Sequence, residues 1–167
     1  PYASVGATEN TVLAAVLAKG TTVIENAARE PEIVDLIKML KNMGADITGE
    51  GTSEIIVNGV NKLNSTDHKV IGDRIIAGTY IGAFLSTNGN GKVVGINPDH
   101  LPMEIKKYTE IGGKFKIGSD FIEVESPKQL SPIDISTLPF PGVSTDLQPI
   151  FGASLLKADG TSIITEN

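Results

Sequence analysis

Apolar residues recur along this chain at two alternating periods, in an order that repeats. Val12, Leu13, Val16 and Leu17 form a helical stripe across residues 6–17, which Gly20 ends. Residues 21–26 are rich in β-branched side chains and predict a buried strand. Glu30-Pro31 opens a second helix, since proline suits a first turn. Its apolar face is Ile33, Leu36, Ile37, Leu40 and Met43, and Gly44 closes it. Residues 45–49 and 53–58 predict two strands that pair as a hairpin around Glu50-Gly51. The order is helix, strand, helix, strand, strand.

That order then returns. Asp73-Arg74 opens a helix through Ile76, Tyr80, Ile81 and Phe84, and residues 88–91 end it. Residues 92–97 predict a strand, 102–111 a helix, and 112–117 with 121–124 a second hairpin. Gly20 and Gly91 lie 71 residues apart, Gly44 and Gly112 lie 68 apart, and Gly91 and Gly160 lie 69 apart. A third copy begins at Asp134-Ile135, carries a helix after Asp146 and a strand over 161–165, and stops before a second helix. The period of about 70 residues exceeds the ~20–50 of solenoid repeats. Each unit is one amphipathic layer that cannot bury itself, so copies must share a core. The expected division is one repeat over 1–63, a polar aperiodic crossing over 64–72, a second repeat over 73–128, and an incomplete third over 129–167. The half-present copy gives the chain the look of a piece of something larger, with an exposed face that could drive self-association.

Composition narrows the function classes. The 167 residues are 40% hydrophobic and 20% charged, enough for a sizeable core. Eighteen glycines and nine prolines suit short elements joined by tight turns. A net charge of -6 and a pI near 4.9 argue against nucleic acid as a partner. No apolar run approaches the ~18 residues of a membrane span, and no signal-peptide pattern is expected. The absence of cysteine excludes disulfides, thiolate metal sites and a cysteine nucleophile within these residues, and fits the cytoplasm.

Candidate chemistry gathers where each repeat's first helix begins. The three starts are Ser4 to Thr8, then Gly72-Asp73-Arg74, then Ser144-Thr145-Asp146. Amides at a helix start favour an anion, and Gly6 permits close backbone approach. Ser4 therefore suits a phosphate or diphosphate, and equally an ordinary cap. After Pro139, Pro141 and Gly142, one of Ser144, Thr145 and Asp146 is expected at an N-cap. Asp146 reads either as part of that cap or as a carboxylate facing a substrate hydroxyl. Arg29 is expected to pair with Glu30 or Glu32, His68 and His100 to lie on the surface, and Met39 and Met43 to be core. No metal-ligand spacing, nucleotide-binding glycine loop or nucleophile elbow occurs.

Residues 4–10, 20–26 and 27–35, with Asp73-Arg74-Ile75, Ala77-Gly78-Thr79 and Thr145-Asp146-Leu147-Gln148, resemble the bacterial UDP-N-acetylglucosamine 1-carboxyvinyltransferases. The resemblance covers the whole chain but well under half of a complete member. It implies an α/β fold, a truncated piece of the "inside-out" α/β barrel of enolpyruvyl transferases with its repeated βαβαββ units in two lobes. It also implies transfer of enolpyruvyl from phosphoenolpyruvate to the 3'-hydroxyl of UDP-N-acetylglucosamine without a cofactor or metal. Asp146 would accept the hydroxyl proton, Tyr2, Ala3, Ser4 and Val5 would line the nucleotide-sugar site, and Thr145 would lie beside the sugar. Tyr2 stands where some members have lysine, which would remove a cationic contact. Ser144 replaces a common proline and Ile76 a common glutamate, and neither change has a functional account.

The shikimate-pathway enolpyruvyl transferase is a rival of the same fold that fits residues 4–10 and 27–35 poorly. A non-catalytic sugar-nucleotide-binding module is a rival of another class. The family's N-terminal lysine, its loop cysteine or aspartate, and its phosphoenolpyruvate-clamping arginines have no match among these residues, and a base alone cannot supply this reaction. Incubated with both substrates, the isolated chain is therefore expected to release no phosphate. Sustained release above buffer would show that these residues suffice.

Overall fold

The computed structural model describes residues 2–166. Its elements are α1 (Val5–Ala15), β1 (Thr21–Glu25), α2 (Pro31–Asn42), β2 (Asp46–Thr48), β3 (Glu54–Asn58), α3 (Arg74–Ser86), β4 (Asn90–Val94), α4 (Pro102–Glu110), β5 (Lys114–Ile117), β6 (Phe121–Glu125), β7 (Ile135–Ser136), α5 (Gln148–Leu155) and β8 (Ile164–Thr165). Short 3-10 turns lie at Pro98–His100 and Thr145–Leu147. The chain divides into two compact units, Pro1–Val70 and Ile71–Asn167.

In the first unit an antiparallel sheet of order β1-β3-β2 packs against two helices. Ile55 and Val57 alternate with outward residues along β3 and, with Ile47, meet Ile33, Ile37 and Leu40 of α2. Val12, Ala15 and Val16 bring α1 into the same core. Gly49 holds the β2–β3 turn at a φ of 90°, where an added Cβ would stand 2.1 Å from the Glu54 carbonyl oxygen. No larger residue fits that turn.

Three expectations change here. β1 is not a buried strand: it is an edge strand that alternates exposed with half-buried residues, because only one of its faces has a layer to cover it. Leu13 and Leu17 are exposed rather than part of the buried stripe. Leu13 is turned about 100° from Val12, and Leu17 by the same angle from Val16, away from the covered direction that Val12 and Val16 share. Met39 and Met43 are half-buried at the margin of the core.

The second unit repeats the arrangement, with an antiparallel sheet of order β4-β6-β5. Both units thus read αβαββ. No strand directly precedes α3 in the second unit, because residues 62–73 join no ladder. The third copy supplies β7, α5 and β8, with β7 and β8 parallel, and shares its core with the second.

That shared core is centred on the stacked rings of Tyr108 and Phe151, whose centroids are 4.2 Å apart. Burial raises the Tyr108 phenol above its usual value, and its hydroxyl donates to the Gly78 carbonyl at 3.0 Å. Gly78 and Gly82 open the face of α3 to its neighbours. A Cβ on Gly78 would meet Leu147 Cδ1 at 2.5 Å, and one on Gly82 would meet Ile150 Cγ2 at 2.5 Å. The Ser86 and Ser154 hydroxyls lie 2.9 Å apart between α3 and α5, and Lys157 Nζ donates to the Ser86 carbonyl at 2.7 Å. Phe151→Ala, which removes the fully buried ring beneath α3, should cost about 3–5 kcal/mol, read as a lower urea midpoint.

Candidate functional site

The first unit holds one of the three expected helix starts and the second holds two, one of them at Asp73, whose Oδ1 accepts from the Ile75 and Ile76 amides at 2.8 and 3.1 Å. In the first, Ser4 is the N-cap of α1, with extended backbone, and its Oγ accepts from the Ala7 amide at 3.2 Å. The remaining first-turn amides have no partner within a helix, and the helix dipole favours an anion beside them. Tyr2 and Ser4 are exposed, and Ala3 and Val5 half-buried. Thr8 anchors this start, its buried Oγ1 donating to the Ser4 carbonyl at 2.8 Å and accepting from the Ala28 amide at 3.0 Å. The buried Ala27-Ala28 segment is thereby tied to the first turn of α1.

At the other start in the second unit the N-cap is Ser144. Its Oγ lies 3.3 Å from the Asp146 amide and 3.3 Å from Asp146 Oδ2. Asp146 is therefore in the first turn rather than at the cap, with its carboxylate on the exposed side. Leu147, fully buried against Gly78, pins the turn from below. The Thr145 hydroxyl donates to the Glu166 carboxylate, which follows β8 directly. Ligand groups in parallel α/β structure collect at the carboxyl ends of strands, and β7 and β8 are a parallel pair.

Beneath the turn lies a charged pair that sequence reasoning missed. Glu104, in the first turn of α4, is 1% exposed, and Arg74, the first residue of α3, is 7% exposed. Glu104 Oε1 accepts from the Ser144 amide at 3.2 Å and stands 4.0 Å from Arg74 Nη1. The Arg74 guanidinium also lies over the Phe140 ring, 5.7 Å from its centroid. Burial raises the Glu104 carboxyl above its usual value, opposed by bonds from its own and the Ser144 amides and by the Arg74 charge. In the sequence Glu104 looks like a dipole-favoured acid behind Pro102, and nothing local marks its burial. Arg74 shows as part of a polar cluster at a helix start and of a family motif, with no sign of its partner, and Glu166 shows only as the residue after a predicted strand.

Other polar groups carry less. His68 is not a surface residue. Its side chain is 14% exposed, with Nε2 3.1 Å from Asp35 Oδ1, because residues 62–70 run back against α2. His100 is half-buried, 3.3 Å from the Asn97 side-chain amide. On the outer face of β4-β6-β5, Lys92, Lys114 and Lys116 pair with Glu123 and Glu125, so that face is largely self-neutralised. Among the described residues no cluster could hold a metal ion, and no helix is long and apolar enough to cross a membrane.

A carboxyl whose value is raised on folding contributes stability below its unfolded value near 4.5 and loses it as pH rises through the folded value. Glu104→Gln does not titrate. Its melting temperature relative to the parent should therefore move in the variant's favour between about pH 4 and about pH 7, as thermal melts across that range would show.

Known proteins match this chain along its whole length. The family described as EPSP synthase (3-phosphoshikimate 1-carboxyvinyltransferase) matches residues 1–167. The UDP-N-acetylglucosamine 1-carboxyvinyltransferase of Nocardia farcinica is 51% identical over 166 residues, which are 99% of this chain and 39% of that protein. The protein of the same name from Thermotoga maritima is 46% identical over 168 residues, covering 100% of this chain and 40% of its own length. The crystal structure of the enolpyruvyl transferase NikO from Streptomyces tendae matches 97% of this chain and 39% of its own with a TM-score of 0.86, at 23% identity, and so supports the fold. The chain spans about two fifths of the length of these relatives. The match of the family over residues 1–167, with relatives about half identical along the whole chain, shows that it belongs to the EPSP synthase family of carboxyvinyltransferases.

Proposed function

We propose that the protein carrying this chain transfers the enolpyruvyl group of phosphoenolpyruvate to the 3'-hydroxyl of UDP-N-acetylglucosamine, releasing phosphate, at the entry to peptidoglycan synthesis. The observation that carries this reading is the exposed Asp146 carboxylate, set on a turn capped by Ser144 within a chain about half identical to carboxyvinyltransferases of that name. Relatives so named favour it over the shikimate-pathway reaction, even though the family takes its description from that enzyme.

In this reading Asp146 accepts the hydroxyl proton as the sugar oxygen attacks C2 of phosphoenolpyruvate. With the methylene carbon protonated, the tetrahedral intermediate carries a methyl group, and it collapses by expelling phosphate from C2 as that methyl gives up a proton, which restores the carbon–carbon double bond. Positioned base catalysis of this kind contributes roughly 10²–10⁴ in rate. Thr145 lies beside the sugar. Ser4, the Val5 amide, Tyr2 and Ala3 receive the nucleotide, with the diphosphate at the start of α1, where the dipole and first-turn amides favour negative charge. Groups that bind phosphoenolpyruvate and protonate its methylene come from outside these residues, so the isolated chain is inactive. The reaction needs no metal and no cofactor, and the protein acts in the cytoplasm without nucleic acid or membrane as partner. The division into a first-lobe repeat over 1–63, a crossing over 64–72 and second-lobe repeats from 73 onward belongs to the same reading.

Asp146→Asn, made in the complete protein, should lower the rate of phosphate release by about 10²–10⁴ while leaving the melting temperature nearly unchanged. Retained turnover would remove Asp146 from the chemistry. A loss of stability alone would return it to a capping role.

A further inference from the structure

We infer that Glu104, seated by Arg74, is a positioning residue that holds the Asp146 carboxylate through the Ser144 amide. The inference rests on the reading of Asp146 given above. It begins from a cost. A carboxylate that is 1% exposed has lost nearly all its water, and burying such a group is unfavourable by several kcal/mol unless its partners compensate. Apolar side chains of similar volume would fill that space at no such cost, and Leu101, Tyr108 and Leu147 already make an apolar core there. A charged group kept in this position therefore needs a task that carbon cannot perform.

The task is visible in its bonds. Glu104 Oε1 receives the amide of Ser144 at 3.2 Å, across 40 residues of sequence. Ser144 is the hinge of the short turn, 9% exposed, with its Oγ within 3.3 Å of both the amide and the Oδ2 of Asp146. A rigid α4 thus reaches the exposed carboxylate in two steps. Arg74 adds two contacts. Its Nη1 is 4.0 Å from the Glu104 oxygen, and its guanidinium faces Phe140, four residues before Ser144 in the same segment. The groups facing Glu104 are Arg74 from α3, the Tyr108 phenol from its own helix and the Ser144 amide from the turn. Tyr108 is committed to the Gly78 carbonyl and stays neutral, so Arg74 is the charge that favours ionised Glu104.

Reacting groups must be held in a narrow geometry, and a displacement of about 1 Å can cost about 10²-fold in rate. Asp146 lies on a 3-10 segment of only three residues, Thr145–Leu147, which cannot supply that rigidity by itself. Leu147 fixes the depth of the turn against Gly78. The Glu104 to Ser144 bond fixes its direction.

The test is made in the complete protein, with phosphate release from phosphoenolpyruvate and UDP-N-acetylglucosamine as the readout. Glu104→Ala removes the acceptor and should lower kcat about 10- to 100-fold, with KM for the sugar nucleotide within about threefold. Glu104→Gln keeps an oxygen for the Ser144 amide and should hold kcat within about threefold of the parent. In an Asp146→Asn background, Glu104→Ala should cost less than about twofold, since it acts through the residue already removed. Full multiplication of the two losses would overturn the proposal, as would a Glu104→Ala variant with kcat unchanged. If that variant fails to fold, Ser144→Ala takes its place, removing the hydroxyl within reach of Asp146, and should lower kcat at unchanged KM. A Ser144→Ala variant with unaltered kcat would then overturn the proposal. Full activity of Asp146→Asn itself would instead overturn the reading of Asp146, so the two failures are distinct.

Discussion

The second unit depends on how closely α3 can approach the turn that carries Asp146. Gly78 and Gly82 remove the side chains that would hold Leu147 and Ile150 away, and a single methyl at either position would come within 2.5 Å of its neighbour. The close approach lets Tyr108 stack on Phe151 and donate to the Gly78 carbonyl, and it places the Ser86 and Ser154 hydroxyls within 2.9 Å. Interiors are packed too tightly for these contacts to be independent. Widening the α3 contact would release Leu147, and with it the turn whose carboxylate carries the proposed chemistry.

The turn is built in two layers of different character. Below it are apolar contacts, insensitive to pH and set by shape. Beside it is the Arg74–Glu104 pair, which carries a desolvation cost and returns direction, because only a hydrogen-bond acceptor can fix the Ser144 amide. The first unit reaches a comparable end with neutral groups. Thr8 uses one hydroxyl to join the start of α1 to the Ala28 amide, and Ser4 caps the Ala7 amide. Both units thus hold a helix start steady from beneath while leaving its first polar residues open to solvent.

Much of this fold could be read in advance. The stripe from Ile33 to Leu40 is helical because its spacing is 3.6, and it buries as its spacing implies. The hairpins form where Gly49 and residues 118–120 allow tight reversal, and the offset of about 70 residues appears again as two sheets of the same strand order. The misreadings share one cause. Residues 21–25 have the composition of a buried strand but lie at a sheet edge, and Leu13 and Leu17 have the right spacing without a layer to cover them. His68 looks like a loop residue until its segment is seen to run back against Asp35.

For the site, the sequence by itself determined that no helix forms up to Gly142 and that Ser144, Thr145 and Asp146 stand about the start of the next one. It also determined the repeat, since periodicity is a property of neighbours in the chain. The tertiary structure alone decided that Ser144 rather than Asp146 caps the turn, and that Glu104, 40 residues earlier, holds its amide. Burial and long-range hydrogen bonds depend on what other segments bring to the same place. A glutamate behind a helix proline is written the same way whether it faces water or the underside of the turn that carries Asp146.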